Sequence, residues 1–219
     1  MENTFSHSSG LISGDLEGQL KTILENLRRP VTLTCIADEG SKSQELGAFL
    51  NHFAALCPML SCRFLSPGED PALDEVMDAR LLPAAGIGPE GERPRMIFHG
   101  IPGGKEITSF LSGVLAAGGA AKELDKYTMK DIQKIRRPME LQVCVSLACH
   151  HCAQLAASAM RIAWENPQVT AHTIDANLYP ELVQKYSIER VPLLIIDREK
   201  LYPGGKTMAE LTGLLSKMK

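Results

Sequence analysis

A chain of 219 residues, 44% hydrophobic and 22% charged, is long enough for one large or two small globular cores. Its net charge of -3 carries no basic excess of the kind that binds nucleic acid or an anionic membrane. The opening MENTFSHSSGLISGDLEG has no basic stretch leading into an apolar one, and no run of eighteen apolar residues occurs anywhere, so a soluble, cytoplasmic protein is expected. In such a compartment the six cysteines, Cys35, Cys57, Cys62, Cys144, Cys149 and Cys152, point to reduced, catalytic or metal-bound thiols rather than a structural disulfide framework.

In chain order the first predicted element is an amphipathic helix with Leu16, Leu24 and Leu27 on one face, ending in LRRP (27–30). The β-like run VTLTC follows and ends at Cys35. Cys57 and Cys62 flank Pro58, where a helix gives way to a strand, and both read as independent structural thiols. LLPAAGI (81–87) contains Pro83, 48 residues after Cys35. GIGPEG (86–91) fits the dinucleotide pattern G-x-G-x-x-G, but Pro89 and the strand-like RPRMIF follow where a helix should begin, so it reads as a hairpin loop. His99 precedes the turn PGGK (102–105), and an apolar helix with Phe110 and Val114 comes next. AAGGAAKE (116–123) reads as a join.

The same order then repeats. A helix with Leu124, Ile132 and Ile135 ends in IRRP (135–138), 108 residues after LRRP. The strand LQVCVS contains Cys144, and Pro192 in RVPLLII (190–196) again lies 48 residues further on. Between them come C-H-H-C (149–152), the helix AQLAASAMRIAWEN, the strand VTAHTIDA with His172, and LYPELVQKYSIERV. LLIID and a short strand near Lys200–Tyr202 form a hairpin. A second PGGK (203–206) leads into TMAELTGLLSKMK. The expected architecture is α/β, two tandem copies at 1–118 and 119–219, each a mixed sheet flanked by helices.

The chemistry concentrates at C-H-H-C, where a strand hands over to a helix. Unpaired N–H groups and the positive end of the helix dipole favour a thiolate there. Cys149, near the N-cap, is expected to attack, and Cys152, one turn on, to resolve. His150 and His151, when charged, favour the thiolate further. Zinc sites also use C-x-x-C, but they need a second ligand pair. Cys144, His150, His151 and His172 are the available extra ligands, and a cluster bridging two chains is a further variant. In thioredoxin-like folds a cis proline faces the C-x-x-C, and Pro192, preceded by Val191, holds that place. Aligned by an offset of 109, the first copy has Gly40 and Ser43 where the second has Cys149 and Cys152, so it has no dithiol chemistry. Cys35 and Cys144 read as buried thiols, Trp164 as core or interface, and Glu106 as a surface charge at a helix start.

These motifs resemble the N-terminal domain of the alkyl hydroperoxide reductase flavoprotein subunit, AhpF, over residues 15–219. SLACHHC (146–152) is similar to that family's SLSCHNC, and HTID (172–175), ERVP ending at Pro192 and GGKEITS (103–109) match further segments. The resemblance implies two tandem thioredoxin-like folds with an active disulfide only in the second. It implies a dithiol electron carrier that binds no cofactor of its own. Electrons would come from a thioredoxin-reductase-like flavoprotein partner holding FAD and using NAD(P)H, and pass to a peroxiredoxin such as AhpC or to another disulfide protein. Glu106 matches an acidic residue of the inactive fold associated with thiol reactivity, as an acid, a base or a source of like-charge repulsion. His151 stands where the family often has Asn. The family's flavin- and nicotinamide-binding module is not in this sequence, which fits either a free-standing carrier or a fragment. Archaeal-type protein disulfide oxidoreductases also pair two such folds but carry C-x-x-C in both. Besides electron transfer, a metal or iron–sulfur protein using the C-x-x-C and a docking module with incidental thiols are the competing functions.

Overall fold

A computed structural model describes residues 5–218. The first four residues of the leader reading and Lys219, the end of the expected last helix, lie outside the described residues. By contact the chain divides into two compact units. The first comprises Met1–Ile101 with Val114–Ala120, and the second Pro102–Gly113 with Ala121–Lys219. The segment around the first PGGK, which the repeat counts with copy one, therefore packs in the second unit.

In the first unit, α1 (Asp15–Leu24) leads to β1 (Val31–Ile36), α2 (Ser41–Ala55), β2 (Leu60–Leu65), α3 (Pro71–Val76), β3 (Ala84–Pro89) and β4 (Met96–His99). Strand β1 runs parallel to β2 and antiparallel to β3, which pairs antiparallel with β4. The order is β2-β1-β3-β4. The β-branched, alternating VTLTCI suits a strand buried in mid-sheet, and Leu33, Cys35 and Ile36 are fully buried. Ile36, Leu65, Leu73, Met77, Ala84 and Ile97 form one apolar cluster. GIGPEG is a hairpin: β3 ends at Pro89, Gly91 has φ 78°, and β4 returns antiparallel.

The helix α4 (Ile107–Ala117) follows a 3-10 turn at Gly104–Glu106. The second unit continues with α5 (Lys126–Gln133), β5 (Met139–Val145), α6 (Cys152–Glu165), β6 (Val169–Asp175), a 3-10 turn at Ala176–Leu178, α7 (Pro180–Lys185), β7 (Leu193–Ile196), β8 (Lys200–Pro203) and α8 (Met208–Leu215). Its pairing repeats that of the first: β5 is parallel to β6 and antiparallel to β7, and β7 is antiparallel to β8. The order is β6-β5-β7-β8. Helix α6 packs on β5 and β6, and α8 packs on α5 and α6. Leu155, Ala159 and Ile162 of α6 and Leu211 and Leu215 of α8 are buried.

The symmetry extends beyond the motifs that first showed it. Helices α3 and α7 are each six residues long and begin with a proline. Soon after each comes a left-handed residue, Asp78 (φ 47°) and Ser187 (φ 49°). The Leu82–Pro83 and Val191–Pro192 peptide bonds are both cis. The expected helices of the repeat are longer than the observed ones. Leu27 and Ile135 lie past the ends of α1 and α5 yet remain buried, and Leu124 lies before α5. The apolar residues go on packing after the helical backbone has stopped.

Two polar devices hold the second unit's ends. The β7–β8 turn places Asp197 (φ 53°) and Arg198 (φ 59°) in the left-handed region, as a tight hairpin turn requires. Asp197 Oδ1 accepts from the Glu140 N–H (3.0 Å), its Oδ2 pairs with Arg137 (2.7 Å), and Arg198 grips both oxygens of Glu140. At the end of α5, buried Asn166 donates from Nδ2 to the carbonyls of Ile132 (2.8 Å) and Ile135 (3.0 Å). Its Oδ1 accepts from the Gln168 N–H (2.9 Å). Among the described residues, no helix is long and apolar enough to cross a membrane. Replacing Asn166→Ala strands these buried carbonyls, so urea denaturation is expected to show a loss of about 2 to 3 kcal/mol.

Candidate redox site

Strand β5 ends at Val145, and Ser146–His151 turns the chain into α6. The Cys149 N–H closes this turn on the Ser146 carbonyl (2.9 Å). Helix α6 begins at Cys152 with His151 as its cap, so Cys149 lies one turn ahead of the helix rather than at the cap itself. Cys149 and Cys152 are joined by a disulfide with Cα atoms 5.5 Å apart. The two sulfurs are not equivalent. Cys149 is partly exposed, whereas Cys152 is fully buried. The Val191 carbonyl oxygen lies 4.0 Å from Cys149 Sγ, and Pro192 behind it is buried. His150 and His151 are exposed, and Gly205 of the second PGGK turn comes within 3.8 Å of the His151 Cβ for an added side-chain carbon.

The first PGGK turn reaches the same loop. The Lys105 N–H donates to the Leu147 carbonyl (2.9 Å). Gly104 has φ 55°, and a Cβ there would stand 2.5 Å from that carbonyl oxygen, so only glycine fits. The turn packs on α6. Glu106 ends it, fully buried rather than on the surface. A surface charge was the plain reading of its sequence position, and burial overturns it. Its Oε2 lies 2.5 Å from Ser109 Oγ, and its Oε1 has no hydrogen-bond partner. Burial, only partly offset by the Ser109 hydroxyl and reinforced by the charge of Asp175, pushes Glu106 up from 4.5 to about 7.

The remaining thiols have no partner sulfur. Cys57 Sγ faces the Leu24 carbonyl and Cys62 Sγ that of Leu50, while burial raises Cys62 and Cys144 to about 12 and Cys35 beyond that. These are poor nucleophiles. His99 is buried with Nδ1 2.7 Å from the Leu81 carbonyl, and His172 is buried in β6. Trp164 is half-buried. Among the described residues, no group of three or more His, Cys, Asp or Glu is gathered to hold a metal ion. In the first unit, the position matching the C-x-x-C is filled by a carboxylate. Asp38 Oδ1 accepts from the Gly40 N–H (3.0 Å) and Ser43 Oγ (2.5 Å), and the Ser43 bond chiefly holds its carboxyl below the ordinary range.

A C-x-x-C disulfide on a strand-to-helix turn, opposite a cis proline, defines a thioredoxin-like disulfide oxidoreductase. Residues 139–216 match the family described as thioredoxin domain. The N-terminal domain of alkyl hydroperoxide reductase AhpF from Enterococcus faecalis (V583) superposes with a TM-score of 0.86 at 32% identity, covering 91% of this chain and 97% of that one. The chain therefore belongs to the family of the AhpF N-terminal domain. The AhpF protein of Pseudomonas putida alkyl hydroperoxide reductase is 28% identical over 203 residues, 93% of this chain. This chain spans 37% of that relative's length. A protein disulfide oxidoreductase from Aeropyrum pernix K1 shares the fold, with a TM-score of 0.83 at 16% identity.

Sequence reasoning located both cysteines, His150, His151, Val191 and Pro192, and the structure brings them to one loop and the strand entry facing it. Glu106 lies in the same unit, on the turn bonded to Leu147. Asp175 was passed over although HTID was singled out. An acid closing a strand run was its only signal, and burial cannot be read from that. Two outcomes test this geometry. Gly104→Ala should destabilise the protein by more than about 1 kcal/mol in urea denaturation and alter the alkylation rate of reduced Cys149, because the Leu147 carbonyl must move. The second concerns Glu106, whose raised value means that the folded, oxidised protein binds a proton more tightly than the unfolded chain. That stability is full below pH 4.5 and is lost as pH rises through about 7. Glu106→Gln should remove this fall, on the order of 2 kcal/mol between pH 4.5 and 7.5 by urea denaturation.

Proposed function

We propose that this chain is a dithiol electron carrier, taking electrons from a thioredoxin-reductase-like flavoprotein module and giving them to a peroxiredoxin of the AhpC kind or another disulfide protein. The observation that carries the reading is the asymmetric disulfide, with partly exposed Cys149 over buried Cys152 and beside the Val191 carbonyl. The relatives are named as alkyl hydroperoxide reductases, which supports the peroxide-linked acceptor. FAD and NAD(P)H would serve on the donor and not on this chain. In this reading the protein works in the cytoplasm.

In the reduced protein the Cys149 thiolate attacks one sulfur of the acceptor disulfide. A Cys149–acceptor bond forms, the acceptor disulfide breaks, and the leaving sulfur takes up a proton. The Val191 backbone, held at the entry to β7, offers an edge for the acceptor's extended chain. Cys152 then loses its proton and attacks Cys149, which closes the internal disulfide and frees the second acceptor thiol. Two electrons have passed to the acceptor. Cys152 is buried, so its proton needs an internal base. Glu106, poised near 7 on the turn bonded to Leu147, supports that role. A dithiol on the flavoprotein reverses the sequence. His150 and His151 stand at the solvent side, where positive charge favours the attacking thiolate.

The test is NAD(P)H oxidation in a mixture of a thioredoxin-reductase-type flavoprotein, this protein, a peroxiredoxin and peroxide. Oxidation should require the protein and be abolished by Cys149→Ser. Cys152→Ser should accumulate a mixed disulfide with the acceptor, visible by non-reducing mass spectrometry. Full turnover by Cys149→Ser would overturn the reading.

A further inference from the structure

Three segments of the second unit meet at the short stretch that delivers Cys149. Val145 pairs in register with Asp175, the last residue of β6. Asn177 Nδ2 lies 3.4 Å from Ser146 Oγ, and the Lys105 N–H bonds the Leu147 carbonyl. Two buried acids therefore flank residues 145–147 from different elements: Asp175, 4% exposed, and Glu106, fully buried.

Their hydrogen bonds are unequal. Asp175 Oδ1 accepts from the Asn177 N–H (3.2 Å) and Nδ2 (3.0 Å), donors that suit an anion. Glu106 has only Ser109. Ser109 Oγ lies 2.5 Å from Glu106 Oε2 and 2.8 Å from the Glu106 carbonyl, and one hydroxyl proton cannot serve two acceptors. A protonated Glu106 resolves this. Its Oε2–H donates to Ser109 Oγ, which donates to the Glu106 carbonyl, and Oε1 without a partner then carries no charge. Two carboxylates close together in a buried site do not both ionise.

We propose that Asp175 and Glu106 form a coupled carboxylate pair sharing one proton beside the approach to Cys149, with Asp175 the positioning residue that keeps the charge and leaves the proton on Glu106. When the disulfide is reduced, the Cys149–Cys152 bond breaks, Cys152 leaves as a thiolate and takes the Glu106 proton, and solvent restores that proton. Oxidation returns the Cys152 proton to Glu106. This consequence rests on the dithiol-carrier reading, whereas the pairing itself does not. The other titratable groups facing Glu106 are Lys105 on its own turn, Cys149, His150, His151 and Cys152 at the start of α6, and His172 on β6.

The experiment is a carboxyl 13C NMR titration of the oxidised full chain, in wild type, Asp175→Asn and Asp175→Ser, with Glu106→Gln to assign the signal. In wild type the Glu106 and Asp175 resonances should each show the same two inflections, as coupled groups must. In either Asp175 variant the Glu106 midpoint should fall by on the order of one pH unit. In reduced protein the inflection near neutral pH in Cys149 alkylation should move down with it and vanish in Glu106→Gln. Separate single inflections in wild type would overturn the proposal even if the Asp175 variants fail to fold, and so would an unmoved Glu106 midpoint in a folded variant. Loss of peroxidase-linked turnover with the coupling intact would count against the carrier reading alone.

Discussion

One backbone hydrogen bond, from the Lys105 N–H to the Leu147 carbonyl, organises the chemistry of this molecule. It joins a turn from the first sequence copy to the loop that presents Cys149 in the second. Gly104 makes it possible, since any side chain at φ 55° would strike the same carbonyl oxygen. The bond also carries Glu106 into the interior, where burial raises its affinity for a proton. A tandem fold with a single dithiol thus has a reason for both copies: the copy without thiols supplies a segment that the working unit lacks.

The comparison of the two copies shows how the chemistry was separated from the fold. Both keep the parallel-then-antiparallel strand order, the short proline-started helix, the left-handed residue after it and the cis proline. Only the loop before α2 and α6 differs in kind. In the first unit the Asp38 carboxylate takes the Gly40 and Ser43 donors, so a fixed negative charge and its hydrogen bonds occupy the place of a thiol pair. The backbone features persist because they shape the sheet. The sulfur positions are free to change because nothing in the first unit's packing needs them.

The sequence made the duplicated architecture and the C-x-x-C legible because both leave local marks. LRRP and IRRP, the two 48-residue spacings from Cys35 and Cys144 to proline, and the two PGGK turns are chain punctuation, and punctuation survives when core residues drift. Helix ends were less legible, since Leu27 and Ile135 continue the apolar period past the last helical turn and still pack. Glu106 and Asp175 were hardest. Each is an acid at the edge of an element, where exposure is the ordinary state. Their burial depends on contacts between segments some 70 residues apart in sequence, and no local pattern encodes it.

The disulfide itself divides the site into an outer and an inner half. Cys149, His150 and His151 meet solvent, and the Val191 carbonyl stands beside the outer sulfur. Cys152, Glu106 and Asp175 lie inside. An incoming disulfide can reach only the outer sulfur, which supports Cys149 as the attacking thiol. A proton leaving the inner sulfur has no direct route to water, which supports an internal carboxyl as its acceptor. Such a carboxyl is useful only if it exchanges its proton near neutral pH, and an ordinary surface acid does not. Burial beside a second acid brings Glu106 into that range, and the segment that bears it is docked by the Lys105–Leu147 bond. The order of thiol chemistry and the placement of the buried acids are therefore two consequences of one asymmetry in exposure.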